Sequence, residues 1–229
     1  MLRALLDLLF PRACAACGRR PVEGSFCRDC AAFLETPPAF RCGLCAEPLL
    51  TSRASRCEAC VASPPPFERV FSPFVHGGAI AQAIHRYKYR GRRELARQLA
   101  PLLAAPAAGL LATADVVAPI PLHPSRRRQR GYDQAALLAR EVALQAGRPF
   151  AGRLLRRDVD TQRQVGLQRQ ERERNVAGAF SASPAASGLV IALIDDVVTT
   201  SSTSRAAALA LKEAGARQVL VLALARAGT

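Results

Sequence analysis

Leu189 to Ala214, LVIALIDDVVTTSSTSRAAALALKEA, is the stretch that decides how this chain is read. Its first six residues, Leu189 to Ile194, are apolar and rich in branched side chains. That run is too short for an ordinary helix and suits a strand buried on both faces of a parallel sheet. Asp195 and Asp196 follow at once, then the hydroxyl-rich run Thr199 to Ser204, then an Ala/Leu segment that favours helix and stops at Gly215. In open parallel sheets a ligand sits beyond the carboxyl ends of the strands, and a helix N-terminus offers free N–H groups to an anion. Those amides, with Thr and Ser hydroxyls beside them, would hold a phosphate. The carboxylates just upstream would accept hydrogen bonds from sugar hydroxyls or hold a hydrated Mg²⁺. Taken singly, hydroxyl residues cap helices and aspartates end strands. All four features in this order point instead to a sugar phosphate.

Eight cysteines fall as four CxxC pairs: Cys14/Cys17, Cys27/Cys30, Cys42/Cys45 and Cys57/Cys60. A CxxC knuckle presents two thiolates, and two knuckles complete a tetrahedral site, so the count predicts two structural zinc ions. Sequential pairing of the knuckles is the simpler arrangement, with an interleaved pairing as its alternative; iron is the alternative metal. So small a module cannot hold itself together by apolar burial, and the metal is expected to supply most of its folding energy. Leu2, Leu5, Leu6 and Leu9 form a short helical stripe ahead of it, too short to span a bilayer and without a cleavage site. The expectation is therefore a cytoplasmic chain, not an integral membrane protein, in which disulfides are disfavoured.

Ser63-Pro64-Pro65-Pro66 is a stiff linker. Beyond it, Phe67 to Val75 alternates like a strand or hairpin, and Ala79 to Leu103 reads as a helical stretch. This stretch contains Tyr87, Lys88, Tyr89, Arg90, Arg92 and Arg93, aromatics interleaved with cations. Single-stranded nucleic acid needs rings for stacking and charge for phosphates, although a solvated basic helix face has the same look. The net charge of +14 comes almost wholly from arginine, since Lys88 and Lys212 are the only lysines; guanidinium forks suit polyanionic partners. Asp115 to Ile120 reads as a strand, Pro121 to Pro124 as a rigid turn with His123 as a turn residue, and Tyr132 to Gln145 as a helix. The arginine-rich stretch Leu154 to Asn175 reads as a cationic loop able to close over an anion.

IALIDDVVTTSSTSRAAALALKEAGARQV resembles the ribose-phosphate loop of type I phosphoribosyltransferases. The resemblance implies that Asp195 and Asp196 bind the ribose hydroxyls of phosphoribosyl pyrophosphate (PRPP) with Mg²⁺. Val197, Val198, Thr199, Thr200, Ser201, Ser202 and Thr203 would wrap the 5-phosphate. Ser201 stands where that family usually has Gly, a position where a side chain strains the backbone or adds a donor. KYRGRRELA, VVAPIPLHPSRRRQRGYDQAALLAR and LLRRDVDTQRQVGLQRQERERNVAGAF, in this order with the Asp-Asp loop, resemble the ComF family of competence-associated phosphoribosyltransferase-like proteins. An amino-terminal double zinc ribbon is similar to that of many members. This likeness implies a pyrophosphate loop at Ala118 to Leu122, including Pro119, Ile120, Pro121 and Leu122, and a flexible loop at Leu155 to Asn175 supplying Arg163 and Arg169. It also implies single-stranded DNA and DNA-uptake proteins as partners.

The expected fold class is α/β: a type I phosphoribosyltransferase-like, mostly parallel sheet flanked by helices over residues 67–229. A double zinc ribbon with a short helix precedes it over 1–63, joined by the linker 64–66. Nothing in the chain resembles a nucleophile–base pair, so no catalytic residue is assigned. Transfer chemistry would rest on electrostatic stabilisation of departing pyrophosphate. The other expectation is a binding module without turnover.

Overall fold

The computed structural model of the chain describes residues 12–160 and 178–228. The helix expected at Leu2 to Leu9, and Arg163 and Arg169 of the cationic loop, lie outside the described residues. The cysteine region carries two short helices, α1 (Arg28–Ala31) and α2 (Glu58–Ala62). Two short strands, β1 (Arg69–Phe71) and β2 (Phe74–Val75), follow. Then come α3 (Gly78–Tyr89), α4 (Leu95–Ala104), α5 (Ala108–Thr113), β3 (Val116–Pro119), α6 (Pro124–Arg130) and α7 (Gln134–Ala146). The chain closes with β4 (Leu155–Arg157), β5 (Phe180–Ala182), β6 (Val190–Val198), α8 (Ser202–Glu213) and β7 (Gln218–Arg226).

The main sheet runs β1-β7-β6-β3, with β2 also pairing β7, and every pair in it is parallel. β4 and β5 make a separate antiparallel pair. Ile191, Leu193, Val219 and Val221 face one side, against Ala207, Ala208 and Leu211 of α8. Ala192, Ile194, Leu220 and Leu222 face the other, against α3, α4, α5 and α7. Burial on both faces is why β6 as far as Ile194, and β7 from Val219 to Ala225, read as unbroken apolar runs, each large side chain contributing roughly 1.5–3 kcal/mol. This is the expected α/β class, a parallel sheet flanked by helices and preceded by a cysteine module.

Three local expectations are corrected. β6 does not end before the aspartates: it runs on to Val198 because β7 offers a partner along its whole length, with Asp195 opposite Ala223 and Val198 opposite Arg226. The single helix expected over 79–103 is two, α3 and α4, broken at Gly91, whose φ of +65° is left-handed. The turn at Pro121 to Pro124 leads into a helix that the arginine run had obscured, α6, with His123 as its N-cap and Gly131 (φ +78°) closing it.

Candidate functional site

The four knuckles close into two clusters, Cys14/Cys17/Cys27/Cys30 and Cys42/Cys45/Cys57/Cys60, with ligand atoms all within 4.8 Å of one another. This is the sequential pairing. The Cys17–Cys27 and Cys45–Cys57 sulfur separations are 3.8 and 3.6 Å. A zinc–sulfur bond of about 2.3 Å gives a tetrahedral edge of about 3.8 Å, so both clusters fit the ion. Burial opposes ionisation, but backbone N–H groups around the first cysteine of each cluster override it. Cys14 is lowered to about 6 and Cys42 to about 7. Burial pushes Cys30 up to about 12 and Cys60 to about 11. A divalent ion removes that conflict by taking all four as thiolates.

Each ribbon docks on a different part of the α/β unit. Arg86 Nη1 on α3 donates to the carbonyl oxygens of Cys14 (2.8 Å), Ala15 (2.8 Å) and Ala16 (3.2 Å) in the first. Gly78 lets the chain pass: a Cβ there would lie 2.3 Å from the Phe33 carbonyl oxygen. The second ribbon packs its buried Cys42, Cys45 and Cys60 in the same apolar cluster as α8.

At the carboxyl end of β6, Asp196 is buried and Asp195 is partly exposed. Lys88 Nζ, from the last turn of α3, lies 2.6 Å from Asp196 Oδ1. Asp195 Oδ1 accepts from the Asp196 amide at 2.8 Å. Burial first, and then the neighbouring Asp196 charge, push Asp195 up to about 7. The loop then turns through Ser201 at φ 62°, ψ 6°, and α8 begins. Ser201 therefore occupies the left-handed conformation that its glycine counterpart would adopt freely. The first amide taken up by the helix is Arg205 N–H, bonded to the Ser201 carbonyl at 2.8 Å. The amides ahead of it are first-turn donors, with the hydroxyls of Thr200 and Ser202 paired beside them at 2.8 Å.

At the 119–122 segment the amides have internal partners: Ile120 N–H bonds to the Ile194 carbonyl and Leu122 N–H to Asp133 Oδ2. Pro119 and Pro121 have no amide hydrogen. The stretch expected as a cationic loop from Leu154 opens instead as strand β4, paired with β5. Within it Asp160 accepts from Ser125 Oγ and lies 3.2 Å from Arg126 Nε, and these groups hold its carboxyl below the usual range. Arg157, buried over the Phe180 ring, is lowered by burial first and by Arg126.

The aromatic–cation run divides. Tyr87 is buried, donating its hydroxyl to the Gln134 carbonyl at 2.7 Å, so it presents no face to a base. Arg93 lies 5.0 Å over the Tyr132 ring and donates to the Gly131 carbonyl. Lys88 belongs to Asp196. Tyr89, Arg90 and Arg92, with Lys88 beside them, line a cavity of about 850 Å³ between the first ribbon, α3 and the end of β6, with Cys17, His85 and Thr199 on its other walls. The Tyr89 ring sits 5.0 Å from His85 and under the Arg130 guanidinium at 5.0 Å. Sequence reasoning missed Lys88 as the partner of a site carboxylate, and it missed Arg226. The signal for Arg226 was present: a lone arginine ending the apolar run Val219 to Ala225.

Residues 5–61 match the family model for a double zinc ribbon domain. The DNA utilization protein YhgH of Salmonella typhi is 32% identical over 176 residues, 74% of this chain and 77% of that one. Competence protein F of Haemophilus influenzae is 28% identical over 213 residues, 90% of this chain and 92% of that one. Among solved structures, the chain is similar to glutamine PRPP amidotransferase from B. subtilis at 25% identity and a TM-score of 0.42, covering 60% of this chain and 30% of that one. With a double zinc ribbon ahead of a parallel α/β sheet and relatives matched over most of their length, the chain belongs to the ComF family of competence and DNA utilization proteins.

Proposed function

We propose that the chain binds PRPP with Mg²⁺ at the end of β6. Asp195 and Asp196 take the ribose hydroxyls, and the 197–203 loop takes the 5-phosphate. One observation above all supports this reading: a left-handed Ser201 opens α8 a few residues beyond two carboxylates on a central strand, so that first-turn helix amides follow the acids at the carboxyl end of the sheet. Asp196 pairs with Lys88, so Asp195, once ionised, is the carboxylate that would meet a hydrated cation. Bound Mg²⁺ would supply charge neutralisation to the pyrophosphate. In this conformation the 119–122 amides have internal partners, so cations, with Arg163 and Arg169 the proposed ones, would hold the departing pyrophosphate. If transfer occurs, a nitrogen nucleophile forms the bond to the anomeric carbon as the carbon–oxygen bond to pyrophosphate breaks, the leaving group keeping the electron pair. In domain terms, residues 1–63 form the ribbon module, 64–66 the linker and 67–229 the PRPP-binding unit, acting in the cytoplasm.

The names of the relatives support a place in DNA handling. A second reading, binding without turnover, is favoured by Tyr89, Arg90 and Arg92 lining the cavity that reaches Thr199, which suits a single strand of DNA at the same mouth. A thermal-shift series tests the proposal. PRPP with Mg²⁺ should raise the melting temperature of the wild type and leave Asp195→Asn/Asp196→Asn unmoved. An equal shift in both would refute it.

A further inference from the structure

The second ribbon reaches the phosphate loop through a buried ion pair. Arg226, the last residue of β7, is 5% exposed and lies opposite Val198, the last residue of β6. Its Nη1 donates to Ser201 Oγ at 3.3 Å and its Nη2 pairs with Glu47 Oε2. Its Nε has no hydrogen-bond partner among the described residues, and the Glu47 carboxylate paired with Nη2 balances the buried cation. Glu47 is built into the knuckle, since Cys42 N–H bonds to its carbonyl at 2.7 Å. A second contact runs parallel to the first: Arg205, on the first turn of α8, donates to the Ser63 carbonyl at 2.8 Å, with Cys60 Sγ at 3.8 Å.

The first of these contacts ends at the one residue of the loop that needs help. A residue with a Cβ is disfavoured at φ 62°, and persists there only where its surroundings fix it. Ser201 has its hydroxyl on Arg226, which is held in turn by Glu47. We infer that Arg226 and Glu47 are positioning residues for the sugar-phosphate site, holding Ser201 in its left-handed conformation so that phosphate affinity depends on the second zinc ribbon. The first ribbon has a different task, since its contacts run to α3 and, through Ser25 and the Gln98 carbonyl, to α4. The inference rests on the 197–203 loop binding the 5-phosphate, as proposed above.

The test is a double-mutant cycle read by calorimetric titration of ribose 5-phosphate and of PRPP with Mg²⁺ into the zinc-loaded full chain. Glu47→Gln should weaken both ligands about tenfold, the scale of losing a charge-assisted hydrogen bond, while zinc content stays unchanged. In a Ser201→Gly background, where the left-handed conformation needs no support, the same Glu47→Gln change should cost less than about twofold. Equal affinity of Glu47→Gln and wild type, or an equal loss in both backgrounds, overturns the inference. If Glu47→Gln does not fold, Glu47→Asp, which keeps the charge but withdraws it by one methylene, is put through the same cycle with the same two outcomes. Absence of binding to the wild type would instead overturn the phosphate-loop reading itself, so the two failures are distinct.

Discussion

Lys88 Nζ and Asp196 Oδ1 meet at 2.6 Å with side chains 13% and 10% exposed, joining the end of α3 to the end of β6. The pair ties the helix docked on the first ribbon to the carboxylates of the site. Lys88→Met should therefore do two things. It should destabilise the fold by about 3 kcal/mol, because it strands a buried carboxylate, and it should weaken PRPP binding by disturbing the acid pair. Chemical denaturation with and without PRPP separates the effects. A variant as stable as wild type would mean that the contact is dispensable.

The pH dependence follows from Asp195, pushed up to about 7 in the fold from an ordinary value near 4. An acid with a raised folded pKa keeps its proton longer in the native state, so its contribution to stability falls as pH rises from about 4 to about 7 and is flat above. Binding of a cation-bearing ligand needs the ionised form and should strengthen over the same window. Affinity for PRPP with Mg²⁺ should be several-fold tighter at pH 8 than at pH 6. Asp195→Asn should remove both the slope in stability and the slope in binding.

Metal content is expected at two zinc ions per chain, with Cys57→Ser lowering it to one. Chelation should expose eight titratable thiols and cost the ribbons their structure. Metal analysis beside thiol counting checks this, and a full complement of zinc in Cys57→Ser would contradict Cys57 as a zinc ligand.

If single-stranded DNA enters the cavity, its affinity should fall as salt rises, and Arg90→Ala/Arg92→Ala should flatten that dependence by about two phosphate contacts. Tyr89→Ala should weaken binding by about 1–3 kcal/mol through lost stacking. Arg93→Ala should leave binding unchanged and lower stability, because Arg93 packs on Tyr132 and Gly131. An Arg93 effect on DNA as large as that of Arg90 would place the strand elsewhere.

Local spacing made much of this legible. Four CxxC pairs specified two thiolate clusters, and the apolar run before Asp195 specified a two-face-buried strand, because both signals lie within a few residues of chain. The substitution of Ser201 for glycine correctly marked a left-handed position. What stayed hidden depended on distant partners. The length of β6 was set by β7, and the fate of Tyr87 by the packing of α7. Lys88 looked like one more cation in a basic run until the fold placed it on Asp196. Glu47 had no signal at all, since its role arises only where the second ribbon meets β7. No described helix is long and apolar enough to cross a membrane.

The most direct measurement is calorimetric titration of the zinc-loaded protein with PRPP and Mg²⁺, beside Asp195→Asn/Asp196→Asn. One binding event per chain in the wild type, lost in the double variant, is the expected result. No heat with the wild type, or equal heat with both, would contradict a sugar-phosphate site at the end of β6.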